Sequence, residues 1–273
     1  MPLILTGTTS GGKLASHFTV DDTNDRIGIG TTSPVSNLEV VSSVSGGSPV
    51  FSVGSPDHLS IVIGSTGDVF CSGHDLKELK EANDKNKDKE LFFLNLFQKC
   101  SKLMQLIVNC PKPIIAEVGG IATAAGCQLV ASCDLAISSE CAKFATPGVN
   151  IGLFCSTPMV SLSRNVSKKN SMNMLLTGDM IDAKEAKRIS LINDFVLLEN
   201  LTDSVMNLAE KISRKSPAII KIGKKAFYKQ LELSLEDAYK YTSEVMTQNM
   251  LKEDAIEGIN SFLEKRDPSW KDK

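Results

Sequence analysis

Three short stretches bring together residue types that can do chemistry. Gly7-Thr8-Thr9-Ser10-Gly11-Gly12-Lys13 has the Gly-x4-Gly-Lys spacing of a loop that cradles phosphate on backbone amides. Leu14 stands where a hydroxyl would ligate magnesium, and the poor helix-forming stretch Ser16 to Asp25 offers no helix N-terminus to the phosphates, so no nucleotide site is expected. Phe70-Cys71-Ser72-Gly73-His74-Asp75-Leu76 sets a thiol, an imidazole and a carboxylate almost side by side. Neighbours on a turn point apart, whereas a catalytic triad needs side chains that converge from different elements. The better reading is that Gly73 permits a tight turn that exposes the amide of His74 at the mouth of a helix. Gly119-Gly120-Ile121-Ala122-Thr123-Ala124-Ala125-Gly126-Cys127-Gln128 is a second such turn, running into a helix of small residues. Amides at His74 and Ala125, from separate turns, would grip one carbonyl oxygen and stabilise negative charge developing on it. Close helix packing on Gly and Ala explains the same residues, and spacing alone does not separate the two readings.

One carboxylate is a further candidate. Glu117 interrupts an otherwise apolar run just before Gly119-Gly120, where it would be buried near the site or would be a surface charge at a strand end. Alternation along Ile114 to Val118 does not decide the face. Asp75 and Asp134 are expected to fix turns or cap helices. The seven cysteines (71, 100, 110, 127, 133, 141 and 155) form no Cys-x-x-Cys pair, and neither a metal site nor a thiol nucleophile is expected; Cys127, Cys133 and Cys155 read as packing thiols.

These residues need elements to position them. Of the first 58 residues, 25 are Gly, Ser or Thr, a share typical of turns, and only short strand-like runs such as Arg26 to Gly30 and Leu38 to Val41 break it. A boundary is placed there, separating an atypical segment 1–58 from an α/β core over 59–195 and a helical region over 196–273. Leu59-Ser60-Ile61-Val62-Ile63 and Pro113 to Val118 read as buried strands. Leu96, Phe97, Cys100, Leu103, Met104 and Ile107 recur at helical spacing, and Ala122 to Ala131 reads as a helix packed close to a sheet. The mixed-charge run Glu78 to Glu90 reads as a solvated loop or helix start. Asp182 with Glu185 and Ser234 with Asp237 have capping spacing, and Leu201, Val205, Leu208 and Ile212 make one apolar stripe.

With 273 residues, 42% hydrophobic and 23% charged, the chain can bury one large core, which excludes disorder throughout. A net charge of -2 selects no nucleic acid or anionic membrane as partner, and no apolar run reaches the roughly 18 residues of a membrane span. An odd number of cysteines without pairing motifs suggests reduced thiols in an intracellular compartment.

Phe70 to Leu76, Pro113-Ile114-Ile115-Ala116, Ala124-Ala125-Gly126-Cys127-Gln128-Leu129-Val130-Ala131-Ser132-Cys133-Asp134 and Phe144-Ala145-Thr146-Pro147 together resemble the crotonase, or enoyl-CoA hydratase/isomerase, superfamily over about residues 59 to 270. The resemblance implies an α/β spiral of ββα units, with a helical C-terminal region used for assembly into a homotrimer or hexamer. It implies an acyl-coenzyme A thioester as substrate or ligand, with no permanently bound cofactor, and a place in fatty-acid metabolism. The thioester oxygen would meet the amides of His74 and Ala125, while Phe262 and Lys265 would help hold the nucleotide end of the coenzyme. Gln128 and Gly148 fall where the family's hydratases carry two glutamates, and neither can transfer a proton as a carboxylate does. Ordinary hydration is therefore in question, and a different thioester reaction (hydrolysis or decarboxylation) or non-catalytic acyl-coenzyme A sensing are the alternatives. Family members are commonly mitochondrial, although the first 58 residues hold one arginine, unlike an arginine-rich transit peptide, so a cytoplasmic location stays open. Family members also begin with further strands and a helix, which residues 1–58 do not resemble.

Overall fold

A computed structural model describes residues 60–65 and 67–273, together with the backbone of four short strands nearer the N-terminus. Those strands are β1 (Leu3–Ile4), β2 (His17–Asp21), β3 (Arg26–Ile29) and β4 (Leu38–Val40), which pair in that order, the last pair parallel. The phosphate-loop spacing at Gly7 to Lys13 lies outside the described residues, as does the rest of segment 1–58.

The α/β part is built by repetition of strand, strand, helix. The strands and helices β5 (Ile61–Ile63), β6 (Val69–Cys71), α1 (Leu76–Lys85) and α2 (Lys89–Asn109) are followed by β7 (Ile114–Val118), β8 (Ile121–Thr123) and α3 (Ala125–Ser132). Next come β9 (Leu135–Ser139), β10 (Lys143–Ala145), a 3-10 turn over Pro147–Ile151, α4 (Pro158–Asn165) and α5 (Lys168–Thr177). The strands β11 (Ile181–Asp182) and β12 (Asp194–Val196), with α6 (Ala183–Arg188) between them, close the core. The strands β5, β7, β9 and β12 form one parallel sheet, in the order β12-β9-β7-β5, and β6, β8, β10 and β11 form another, β11-β10-β8-β6, in which only β10 and β11 run antiparallel. This is a spiral of ββα units. The turn between β7 and β8 requires glycine, since a Cβ on Gly120 would lie 2.1 Å from the carbonyl oxygen of Asp68.

Two clusters fill the interior. Ile114, Ala116 and Val118 on one face of β7 join the main core with Phe144, Cys100, Leu103, Met104 and Ile107. On the other face Ile115, with Val62 and Ile137, packs against Leu201 and Val205 of α7 (Leu201–Ser213), with Leu208 and Ile212 extending the stripe. After β12 the described elements are helical: a 3-10 turn, α7, α8 (Pro217–Gln230), α9 (Leu235–Met250) and α10 (Glu253–Glu264). The Asp182 carboxylate accepts from the amide of Glu185, and the Ser234 hydroxyl from that of Asp237, so both capping spacings are helix starts.

One expectation needs correction. Ala122 and Thr123 are not helical but belong to β8, because pairing with β10 and β6 outweighs the helix preference of the small residues. Of the two readings of Glu78 to Glu90, the helical one holds: α1 runs to Lys85 and α2 starts at Lys89, each opened by an aspartate, Asp75 and Asp88, whose side chain accepts first-turn amides. Among the described residues no helix is long and apolar enough to cross a membrane.

Candidate active site

The two turns singled out in the sequence meet. Gly73 has φ +95°, open to glycine but strained for other residues, and a Cβ there would stand 3.0 Å from the Cβ of Ala124 and 3.3 Å from the amide nitrogen of Ala125. Gly126 is packed still closer, since a Cβ on it would lie 1.9 Å from the carbonyl oxygen of Cys71. The hydroxyl of Thr123 donates to the carbonyl of Ser72 at 3.3 Å, tying the two turns together. Only glycines at 73 and 126 let the backbones approach this far.

Local geometry leaves the start of α3 without a side-chain cap. Ala124, the cap of α3, has φ 52° and no side chain able to cap the helix, so the first-turn amides, Ala125 first among them, have no acceptor supplied by their own helix. A non-glycine residue in such a conformation stores about 1–3 kcal/mol of strain, and strain of this kind concentrates at functional sites. The amide of Ala124 itself is used, donating to the carbonyl of Ala145 at 3.0 Å. His74 follows the Gly73 turn and precedes Asp75, whose carboxylate caps α1 by accepting from the amides of Lys77 and Glu78. The arrangement sets His74 and Ala125 on adjoining turns, at the mouths of α1 and α3.

The His74 side chain lies against α2. Its ring stands edge-on to Phe97 with centroids 5.6 Å apart, and Phe97 stacks on Phe93. Burial lowers its pKa below the usual imidazole value, which keeps the ring neutral.

The other candidates are placed differently. Gln128 is buried on α3, 3% exposed, where its Oε1 lies 3.8 Å from the Cys100 thiol on α2. Gly148 is buried in the 3-10 turn, and a Cβ on it would stand 2.6 Å from the carbonyl oxygen of Leu153 and 3.0 Å from Cys155 Sγ. Position 148 is thus filled from the side by the Leu153 to Cys155 loop. Glu117 is on the face of β7 that meets α7, where its Oε1 accepts from the Thr202 hydroxyl at 2.6 Å. Its carboxylate is therefore tied to the C-terminal helices. Phe262, 83% exposed, lies on α10, and Lys265 ends that helix with φ 57°. Phe262 lines a cavity of about 530 Å³ between α8, α9, α10 and the C-terminal Trp270, a feature formed by residues too far apart in sequence to be foreseen.

The thiols are guarded by burial. Desolvation raises Cys71 to about 11 and Cys100 and Cys127 to about 12, and it pushes Cys133 and Cys155 upward as well. No cluster of three metal-ligating side chains occurs among the described residues.

Known proteins share this architecture. Residues 53–273 match the enoyl-CoA hydratase/isomerase family model. The mouse enoyl-CoA hydratase domain-containing protein 3, named as mitochondrial, is 50% identical over 216 residues, which is 79% of this chain and 70% of that protein. Its Xenopus laevis counterpart, also named as mitochondrial, is 48% identical over 215 residues, 79% of this chain and 71% of that one. Among solved structures, human enoyl coenzyme A hydratase domain-containing protein 3 superposes with a TM-score of 0.73 at 47% identity, covering 78% of this chain and 82% of that chain. An enoyl-CoA hydratase from Mycobacterium smegmatis gives 0.74 at 44% identity, with 77% and 80% covered.

Proposed function

The chain belongs to the enoyl-CoA hydratase/isomerase family and has the crotonase fold, and from that premise we propose that it binds acyl-coenzyme A thioesters and stabilises negative charge on the thioester oxygen. The observation that supports this reading is the close approach of the Gly73 turn to the Ala124-Ala125 turn, which sets His74 and Ala125 side by side at separate helix mouths; in this reading their backbone amides meet one oxygen. Backbone donors fixed in advance need no reorganisation as charge develops, and each is worth roughly 100- to 1000-fold in rate.

Phe262 and Lys265 hold the nucleotide end of the coenzyme in this reading, an apolar ring for the base and a cation for phosphate. The exposed apolar side chains of α9 and α10, among them Met250, Ile256, Ile259 and Leu263, are the surface for assembly into a trimer or hexamer. The protein acts on thioesters of fatty-acid metabolism, in mitochondria like the relatives named above.

Gln128 and Gly148, which the family resemblance sets at the two hydratase glutamate positions, carry no carboxylate, and this supports a second reading: acyl-coenzyme A is bound and sensed without turnover. Calorimetry with a panel of acyl-coenzyme A thioesters, coupled to mass spectrometry of products, separates the readings. Saturable binding supports thioester recognition, a new product establishes catalysis, and folded protein that binds none of the panel overturns the proposal.

A further inference from the structure

One polar side chain at this place has no assigned task. The His74 imidazole is half-buried, and neither ring nitrogen has a hydrogen-bond partner among the described residues. Unlike the hydroxyls of Ser60 and Thr146, which are enclosed without a partner, its ring nitrogens are not shut away from solvent, so water can reach them. The ring is also held: Phe97 meets it edge-on, and Phe93 stacks behind Phe97 on α2. Glu117, the carboxylate that the sequence offered as an alternative acid or base, is committed to Thr202 on the far face of β7.

We propose that the protein hydrolyses acyl-coenzyme A thioesters, with the imidazole of His74 as the general base that activates water beside the oxygen held by the amides of His74 and Ala125. This rests on the thioester reading of the site given above. The reason to favour hydrolysis is its small demand for titratable groups. Hydration of an enoyl thioester needs water activated at one carbon and a proton delivered to the next, a task for two groups. Hydrolysis needs one group that takes a proton and returns it, and a neutral imidazole does both.

The step closes on itself. A ring nitrogen of His74 takes a proton from water while the water oxygen bonds to the thioester carbon, and the carbonyl π pair moves onto the oxygen between the two amides. When that pair returns, the carbon–sulfur bond breaks, and the imidazolium gives its proton to the departing sulfur. The products are a carboxylic acid and the free thiol of coenzyme A, with water as the sole co-reactant.

Butyryl-coenzyme A is the probe, because its saturated chain offers nothing to hydrate or isomerise. Full-length protein is incubated with it in water enriched in oxygen-18, thiol release is followed with a chromogenic disulfide, and binding is measured by calorimetry. The expected result is release of coenzyme A with one labelled oxygen in butyrate. His74→Gln, which keeps the backbone amide, slows release by roughly 100-fold or more while its dissociation constant stays that of the wild type. His74→Asn serves in the same way if the glutamine variant melts early. Wild-type protein that binds butyryl-coenzyme A and releases no thiol overturns the inference and leaves the thioester reading standing, and so do His74 variants that release thiol at the wild-type rate. Wild-type protein that binds no butyryl-coenzyme A, nor any other thioester, overturns both.

Discussion

Lys224 reaches from α8 into the core and places its Nζ 2.5 Å from the carboxylate of Asp134, the residue that links α3 to β9. The same ammonium donates to the carbonyls of Ile107 and Lys112 at 3.1 and 3.0 Å, so its three donors are used. Asp134 also accepts from the amide of Ile114 and from the Tyr228 hydroxyl. One carboxylate thus fastens a β-strand, the end of α3 and a C-terminal helix. Lys224→Met strips the cation from a nearly buried carboxylate and two carbonyls, and is expected to cost about 3–5 kcal/mol. Tyr228→Phe removes one hydrogen bond and costs about 1–2 kcal/mol. Urea denaturation midpoints rank the two, and a Lys224→Met midpoint equal to the wild type would show that the pair does not anchor α8.

Gly148 is a steric requirement. The Leu153 carbonyl oxygen, 2.6 Å from where a Cβ would stand, is backbone and cannot rotate away. Gly148→Ala is therefore expected to destabilise by about 1–3 kcal/mol. Cys155→Ala relieves only the sulfur contact, so the double variant recovers part of the loss. The corollary is that placing glutamates at both positions, Gln128→Glu with Gly148→Glu, lowers the melting temperature and creates no hydratase; steady turnover of but-2-enoyl-coenzyme A by that variant would refute the argument.

Thiol accessibility gives a test of the core. Cys141 is the exposed cysteine and Cys110 is half-exposed, whereas the other five are buried and the thiols of Cys71, Cys100 and Cys127 are held near 11 to 12. At about pH 8 these contribute almost no thiolate, the reactive form. A chromogenic disulfide should titrate Cys141 rapidly, Cys110 more slowly and the rest only after denaturant. Fast loss of three or more thiols from native protein would contradict the packing around β6, α2 and α3.

What could be read from the sequence was what depends on local spacing. The caps at Asp182 and Ser234, the Leu201-Val205-Leu208-Ile212 stripe and the two glycine turns each lie within a few residues of their own signals. The meeting of Thr123 with Ser72, 51 residues apart, was readable only through resemblance to a family. Glu117 shows the limit: a strand buried on both faces loses the alternation that would orient it, and its partner Thr202 is 85 residues away. The assignment of Ala122-Thr123 to a strand has the same cause, because strand pairing is decided by β10 and β6 and not by the two residues themselves. The Leu153 to Cys155 loop against Gly148 left no sequence signal at all.

The lowered pKa of His74 has a thermodynamic consequence. Burial holds the folded-state value below the 6.5 of an unperturbed imidazole, which the unfolded chain regains. Between those two values the unfolded state binds a proton that the folded state refuses, so this group's contribution to stability is complete above about 6.5 and is lost as the pH falls toward the folded value. The Asp75 carboxylate on the adjacent residue is engaged with the first amides of α1, which leaves burial as the dominant influence on the ring. His74→Gln cannot titrate. Urea midpoints of wild type and His74→Gln, measured at about pH 7.5, 6.5 and 5.5, should therefore converge or cross toward acid, with the wild type losing more. A constant gap between the two proteins across that range would mean that His74 is as free to protonate in the folded protein as in water, and that the aromatic wall of Phe93 and Phe97 does not enclose it.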